Sequence, residues 1–139
     1  MNDNGHTRLD LLLFSVSGIQ FGVDAEQIAG MAAYTGEQAD DLFWFHKELE
    51  YGDASTTYLS PTVLTIKTGA GRPYRVIIDA MADIAECSQT DIRLFPAHLE
   101  SVAARKGMWG ILLRQGGMVL LMDFQLLLKH NQLNSGGNR

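Results

Sequence analysis

Three aspartates close apolar runs in this chain: Asp24 after IQFGV, Asp79 after YRVII and Asp123 after MVLLM. A carboxylate works as a general acid or base when a second titratable group converges on the same cleft. The sequence provides no obvious second group. Its histidines, His6, His46, His98 and His130, form no HExxH motif or close-spaced ligand pair, and His46-Lys47-Glu48 only imitates one. Cys87, in DIAECSQ, has no neighbouring histidine to make it a thiolate, and no serine stands in G-x-S-x-G. The glycines of TGAGRPYR lie between two strand-like runs, whereas a phosphate loop needs GxxxxGK[ST] opening a helix. An acid after a buried strand has a simpler use, which is to accept backbone N–H bonds from the next turn. The aspartates are therefore expected to be structural, with no catalytic residue, no metal and no cofactor. A catalytic alternative requires Asp79, Asp123 and His46 to meet in one cleft, in an enzyme or a small ligand-binding β-barrel.

The elements around these acids repeat a plan. LLLFSVSGIQFGVD is an apolar run, a Ser17-Gly18 turn and an alternating second run, which predicts a hairpin. AEQIAGM follows as one or two turns of helix with Asp24 as its N-cap. PTVLTIK and YRVIIDAM flank Gly69-Ala70-Gly71 in the same way, and MWGILLRQGGMVLLMDF supplies a third pair meeting at Gly116-Gly117, with the helical run FQLLLKH behind it. Three hairpins, each closed by an acid, suggest two related small β units. Phe43-Trp44-Phe45 stands apart, because three consecutive rings cannot all face inward from one regular element; a partner or homodimer contact is one expectation and internal packing the other.

At 139 residues and 46% hydrophobic, the chain is long enough for one domain with its own core. The net charge is -5, which disfavours nucleic acid and anionic lipid as partners. The charge is unevenly spread: residues 1–60 hold ten acids against Arg8 and Lys47, a balance of -8, which leaves +3 for the rest. A single cysteine fits a reducing compartment, so a cytoplasmic location is expected. The run Leu11–Phe14 is too short for a membrane span, so no membrane insertion is expected. Residues 1–8 and 131–139 have the composition of loose ends.

Over roughly residues 10–128 the order of these pieces resembles the CheW family of bacterial chemotaxis coupling proteins. The second half carries most of the likeness: VLTIK, RVIIDAMADIAE, TDIRLFP, GMWGILL and MVLLMDFQLLL follow one another as the family's segments do. The first half matches through LLLFSVSGIQFGVDAEQI. Departures fall between Met31 and Pro61, where the family has a longer segment. In FWFHKELEYG, Phe43 and His46 stand where the family places Pro and Asp, Gln38-Ala39 takes the place of Arg-Gly, Gly30 that of a glutamate and Arg75 that of a glycine.

The resemblance implies a mainly β fold of two small SH3-like antiparallel β-barrel subdomains packed side by side with short helices. It places a first, trimmed barrel at about 9–60, a second at about 61–123 and a closing helix at about 124–130, all within one domain spanning 9–130. Expected interior residues are Leu11, Leu13, Val23, Leu64, Ile66, Ile77, Leu112, Val119 and Leu121. It also implies a non-catalytic adaptor of a chemosensory pathway that binds a histidine kinase regulatory domain and a chemoreceptor cytoplasmic tip. Carried across by position, the apolar groove for such a partner falls on Ile28, Val63, Met81 and Ile84.

Overall fold

The computed structural model describes residues 8–49, 56–69, 71, 73–114 and 117–129. Its first hairpin joins β1 (Arg8–Val16) to β2 (Ile19–Asp24), with Val16 opposite Ile19. Ser17 and Gly18 both take positive φ, 54° and 81°, as a two-residue turn matched to strand twist requires. Asp24 then caps a single 3-10 turn, Ala25–Gln27, accepting from the Glu26 N–H at 2.9 Å. The helix expected here stops after that turn. Ile28–Ala33 is strand β3, because its backbone finds a ladder partner in β5 (Thr62–Ile66).

Two sheets result. The larger has six strands in the order β7-β1-β2-β10-β9-β8, with β7 Met81–Ser88, β8 Ile92–Arg93, β9 Met108–Arg114 and β10 Gly117–Met122. The smaller has four, β3-β5-β6-β4, with β4 Leu42–Trp44 and β6 Arg75–Ile78. The ladders tie distant parts of the chain together: β2 pairs with β10 in parallel, and β1 pairs with β7. The expected hairpins β5-β6 and β9-β10 are both antiparallel pairs, and Gly69 and Gly71 of the former's turn have φ of 70° and 81°. Ala70, Gln115, Gly116, His6, His130 and both chain ends fall outside the described residues. Short helices complete the fold: α1 Phe45–Glu48, α2 Ala97–Arg105, and a helical stretch at 124–129.

β1 is apolar on both faces, and alternation divides its side chains between two cores. Leu12, Phe14 and Val16 join Phe21 and Val23 against Leu64, Ile66, Val76 and Ile78 of the second sheet, which makes the main core. Leu11 faces the other way and packs with Cys87, Leu112, Val119 and Leu121. Of the expected interior residues Leu13 alone is only half-buried, and Ile77 lies on the outer face of the second sheet, opposite Val63.

Candidate docking surface

The residues with catalytic potential hold the fold together. Asp123 Oδ1 accepts from the Gln125 and Leu126 N–H groups at 2.9 and 3.1 Å, an N-cap for residues 124–129, and from Gln27 Nε2 at 2.9 Å. Asp79 does something the local pattern did not predict. Its carboxylate reaches back to the N–H groups of Leu59 and Ser60, at 3.1 and 2.7 Å, and so fastens the segment before β5 to the end of β6. His46 is 7% exposed, with Nδ1 2.9 Å from the Tyr58 hydroxyl, which also accepts from the His46 N–H. Desolvation, with Asp79 nearby, pushes the Tyr58 phenol up to about 12, so it stays protonated at neutral pH. Burial and then the Glu48 carboxylate push the Tyr74 phenol up as well, and its hydroxyl donates to Glu48 Oε1 at 3.0 Å. Burial raises the Cys87 thiol, opposite to what a reactive thiolate needs. Among the described residues no group of three or more His, Cys, Asp or Glu could hold a metal, and no helix is long and apolar enough to cross a membrane.

The three rings of the aromatic triplet each find neighbours within the chain. β4 passes into α1 at this point, and the break in period lets all three rings find neighbours. Phe45 is fully buried against Phe14, Phe21 and Phe124; Phe43 packs on Tyr74; Trp44 lies edge-on to Tyr34 and Tyr58, at 5.3 and 4.9 Å. Phe45 has no surface left to offer a partner, whereas Phe43 and Trp44 are half-buried and keep part of their rings open.

The four apolar groove positions fall into different settings. Met81 and Ile84 lie on edge strand β7, opposite Phe14 and Leu12, on the sheet face that carries the main core. A bulge between Leu13 and Phe14 sets their spacing at three residues rather than two. Met81 packs against the core and Ile84 extends past it, 55% exposed. Ile28, opposite Ile66, also packs on the main core from β3. Val63 points to the other face of its sheet, in the row Ala32-Val63-Ile77-Trp44, and is 4% exposed.

Two further exposed apolar pairs escaped the sequence reading: Leu113 with Met118, directly opposed on β9 and β10, and Leu99 with Val102, one turn apart on α2. Their runs read as ordinary core strand and helix, and only the sheet's edge-to-core order shows which members are left uncovered.

Arg75 was also missed as a functional group, although an arginine inside YRVII signals that an acid must meet it. Its guanidinium takes the Asp41 carboxylate with two bonds, Nε–Oδ2 at 2.8 Å and a second nitrogen to Oδ1 at 3.0 Å, and Glu37 lies 3.6 Å from its remaining nitrogen. This pair stitches the short link between β3 and β4 to β6. The hydrogen bonds from Arg75 hold the Asp41 carboxyl below the usual range. Stability from the pair is therefore complete above the ordinary aspartate pKa of about 3.9 and is lost as pH falls through the lower folded value. The difference in Tm between wild type and Arg75→Gln is expected to be flat from pH 7 to 5 and to close below about pH 4. A difference that persists unchanged at pH 2 contradicts this assignment.

These features define a mainly β, two-sheet fold with a few short helices, in which Asp79, Asp123 and His46 are held in structural hydrogen bonds and the edges carry exposed apolar side chains. No family model and no curated protein matches the sequence. Among solved structures the chain is similar to the crystal structure of the scaffolding protein TtCheW from Thermoanaerobacter tengcongensis, with 12% identity, a TM-score of 0.65, and coverage of 87% of this chain and 92% of that one. The chain has the CheW-like fold, at low sequence identity to that neighbour.

Proposed function

We propose that this protein is a non-catalytic, cytoplasmic adaptor of a chemotaxis or related chemosensory pathway, joining a histidine kinase regulatory domain to a chemoreceptor cytoplasmic tip. The observation that carries the proposal is the pairing of a CheW-like fold with an edge strand whose Met81 and Ile84 continue the core outward. Such an edge offers apolar area to a partner helix or barrel without any reacting group. In this reading Ile84 is the leading contact and Met81 supports it, Ile28 packs on the same core, and Val63, on the other face of the smaller sheet, stands apart from that surface. The catalytic alternative is weakened by Asp79, Asp123 and His46 each serving a different set of structural hydrogen bonds.

The test is co-purification of the full chain with the histidine kinases and chemoreceptors of its own cell, beside Ile84→Asp and Met81→Asp. Ile84→Asp is expected to fold normally and to lose capture by roughly tenfold or more, as removal of a central apolar contact does. If wild type retains neither partner class, or Ile84→Asp captures both equally well with an unchanged circular dichroism spectrum, the proposal fails.

A further inference from the structure

Among the described residues the two sheets present four edge strands, and three of them are short or carry acidic residues. β8 is two residues long and β4 three, while β7 is bulged and carries Asp83 and Glu86. β3 has one register shift, between Ile28 and Gly30, but from Gly30 to Ala33 its pairing with β5 is regular, and it is neither short nor charged. Its six residues, IAGMAA, hold no charge and no proline, and five of its positions from Ala29 onward are small or exposed, with Met31 at 43%. Its ladder direction follows from one bond: the Tyr34 N–H donates inward to the Pro61 carbonyl at 3.1 Å. Antiparallel ladders alternate, so Ala32 and Gly30 also bond inward to β5, and the N–H and C=O groups of Met31 and Ala33 point away from the sheet. Among the described residues no backbone hydrogen bond is made to those outward groups.

We propose that β3 is a strand-addition site that accepts an extended, apolar or small-residue segment flanked by lysine or arginine as a fifth strand of the smaller sheet. The backbone of Met31 and Ala33 supplies the hydrogen bonds, and charge selects the occupant. Asp24 and Glu26 precede the strand and Glu37 and Asp40 follow it, while Lys67, bonded to the Gln27 carbonyl, is the cation beside its start. Glu26 and Asp40 make no ion pair among the described residues. Acid at both ends favours base at both ends of the incoming segment. The same charges oppose a second copy of the chain: antiparallel self-pairing centred on Gly30 or Met31 puts Glu26 of one copy opposite residues 34–36 of the other, next to Glu37. This surface is separate from the Ile84 contact, and its test does not depend on the adaptor proposal.

The probe is a capped synthetic peptide, KKTVTVTKK, titrated into the full chain by calorimetry, with EETVTVTEE as its acidic counterpart. Binding by KKTVTVTKK is expected, weakened roughly tenfold for EETVTVTEE and roughly tenfold for Met31→Pro, which removes one outward N–H but no bond to β5. Met31→Leu keeps that N–H and is expected to bind as wild type does. Should Met31→Pro unfold, Met31→Lys, which repels the basic probe and leaves the ladder intact, is expected to show the same loss. Three results overturn the proposal: no binding of KKTVTVTKK to wild type, equal binding by the variants at Met31, or a wild-type dimer in sedimentation that Met31→Pro dissociates.

Discussion

Phe45→Ala is expected to lower stability by about 3–5 kcal/mol and Tm by roughly 10–20 °C, the largest effect of any truncation in this chain. Phe45 is 0% exposed, and its ring lies edge-on to Phe21, Phe14 and Phe124 at centroid distances of 4.7, 5.1 and 6.0 Å. Each neighbour comes from a different part of the fold: β1, β2 and the helical stretch after β10. A methyl in place of the ring leaves a void that β1 and β2 cannot close, because their backbones are fixed by ladders on both sides. The loss is comparable with the lower end of total stability for a domain, about 5 kcal/mol, so urea denaturation at low temperature is the suitable measurement. Phe45→Leu, which keeps most of the volume, is expected to cost under about 2 kcal/mol. If Phe45→Ala costs no more than Phe45→Leu, the four-ring cluster is not the centre of the core.

The hairpins and their acids were legible because each rests on local chemistry: period-two alternation, a Gly-containing turn and a carboxylate able to bond the N–H groups that follow. Asp24 and Asp123 behave in that way. Asp79 does not: it accepts from the N–H groups of Leu59 and Ser60, 20 and 19 residues back in the chain, and no local pattern encodes that approach. The AEQIAGM segment was read as helix on propensity, and β3 forms instead because tertiary pairing with β5 outweighs it. Phe43 to Phe45 was hard to place for a related reason. Three adjacent rings conflict with any single period, and the conflict disappears only when a strand gives way to a helix between the second and third. The groove positions show the same limit: Ile84 and Val63 are both apolar strand residues, yet one sits on an open edge and the other on an interior strand, a distinction set by strand order. Strand order here depends on the parallel β2-β10 and β4-β6 ladders, which join segments distant in sequence.

Gly107→Ala is expected to cost about 2–4 kcal/mol, the second-largest effect, although only a methyl group is added. Gly107 ends α2 with φ of +73°, its N–H bonded to the Ala104 carbonyl at 2.9 Å, and its own carbonyl accepts from the Asp123 N–H at 2.7 Å. Left-handed backbone costs a residue with a Cβ about 1–2 kcal/mol. The remainder is steric, since the new Cβ would lie 2.8 Å from Leu127 Cβ and 3.1 Å from the Asp123 carbonyl, atoms that cannot rotate away. Gly69→Ala separates the two contributions. Gly69 has nearly the same φ, +70°, with nothing within 4 Å of the added methyl, so it is expected to show the conformational cost alone, about 1–2 kcal/mol. Urea midpoints for both variants, at unchanged m-value, measure the difference. Equal midpoints mean that the junction between α2, Asp123 and Leu127 relaxes freely. A lower midpoint for Gly107→Ala means that it is as tightly closed as the distances indicate, and that the end of β10 holds the last helical stretch rigidly against the core.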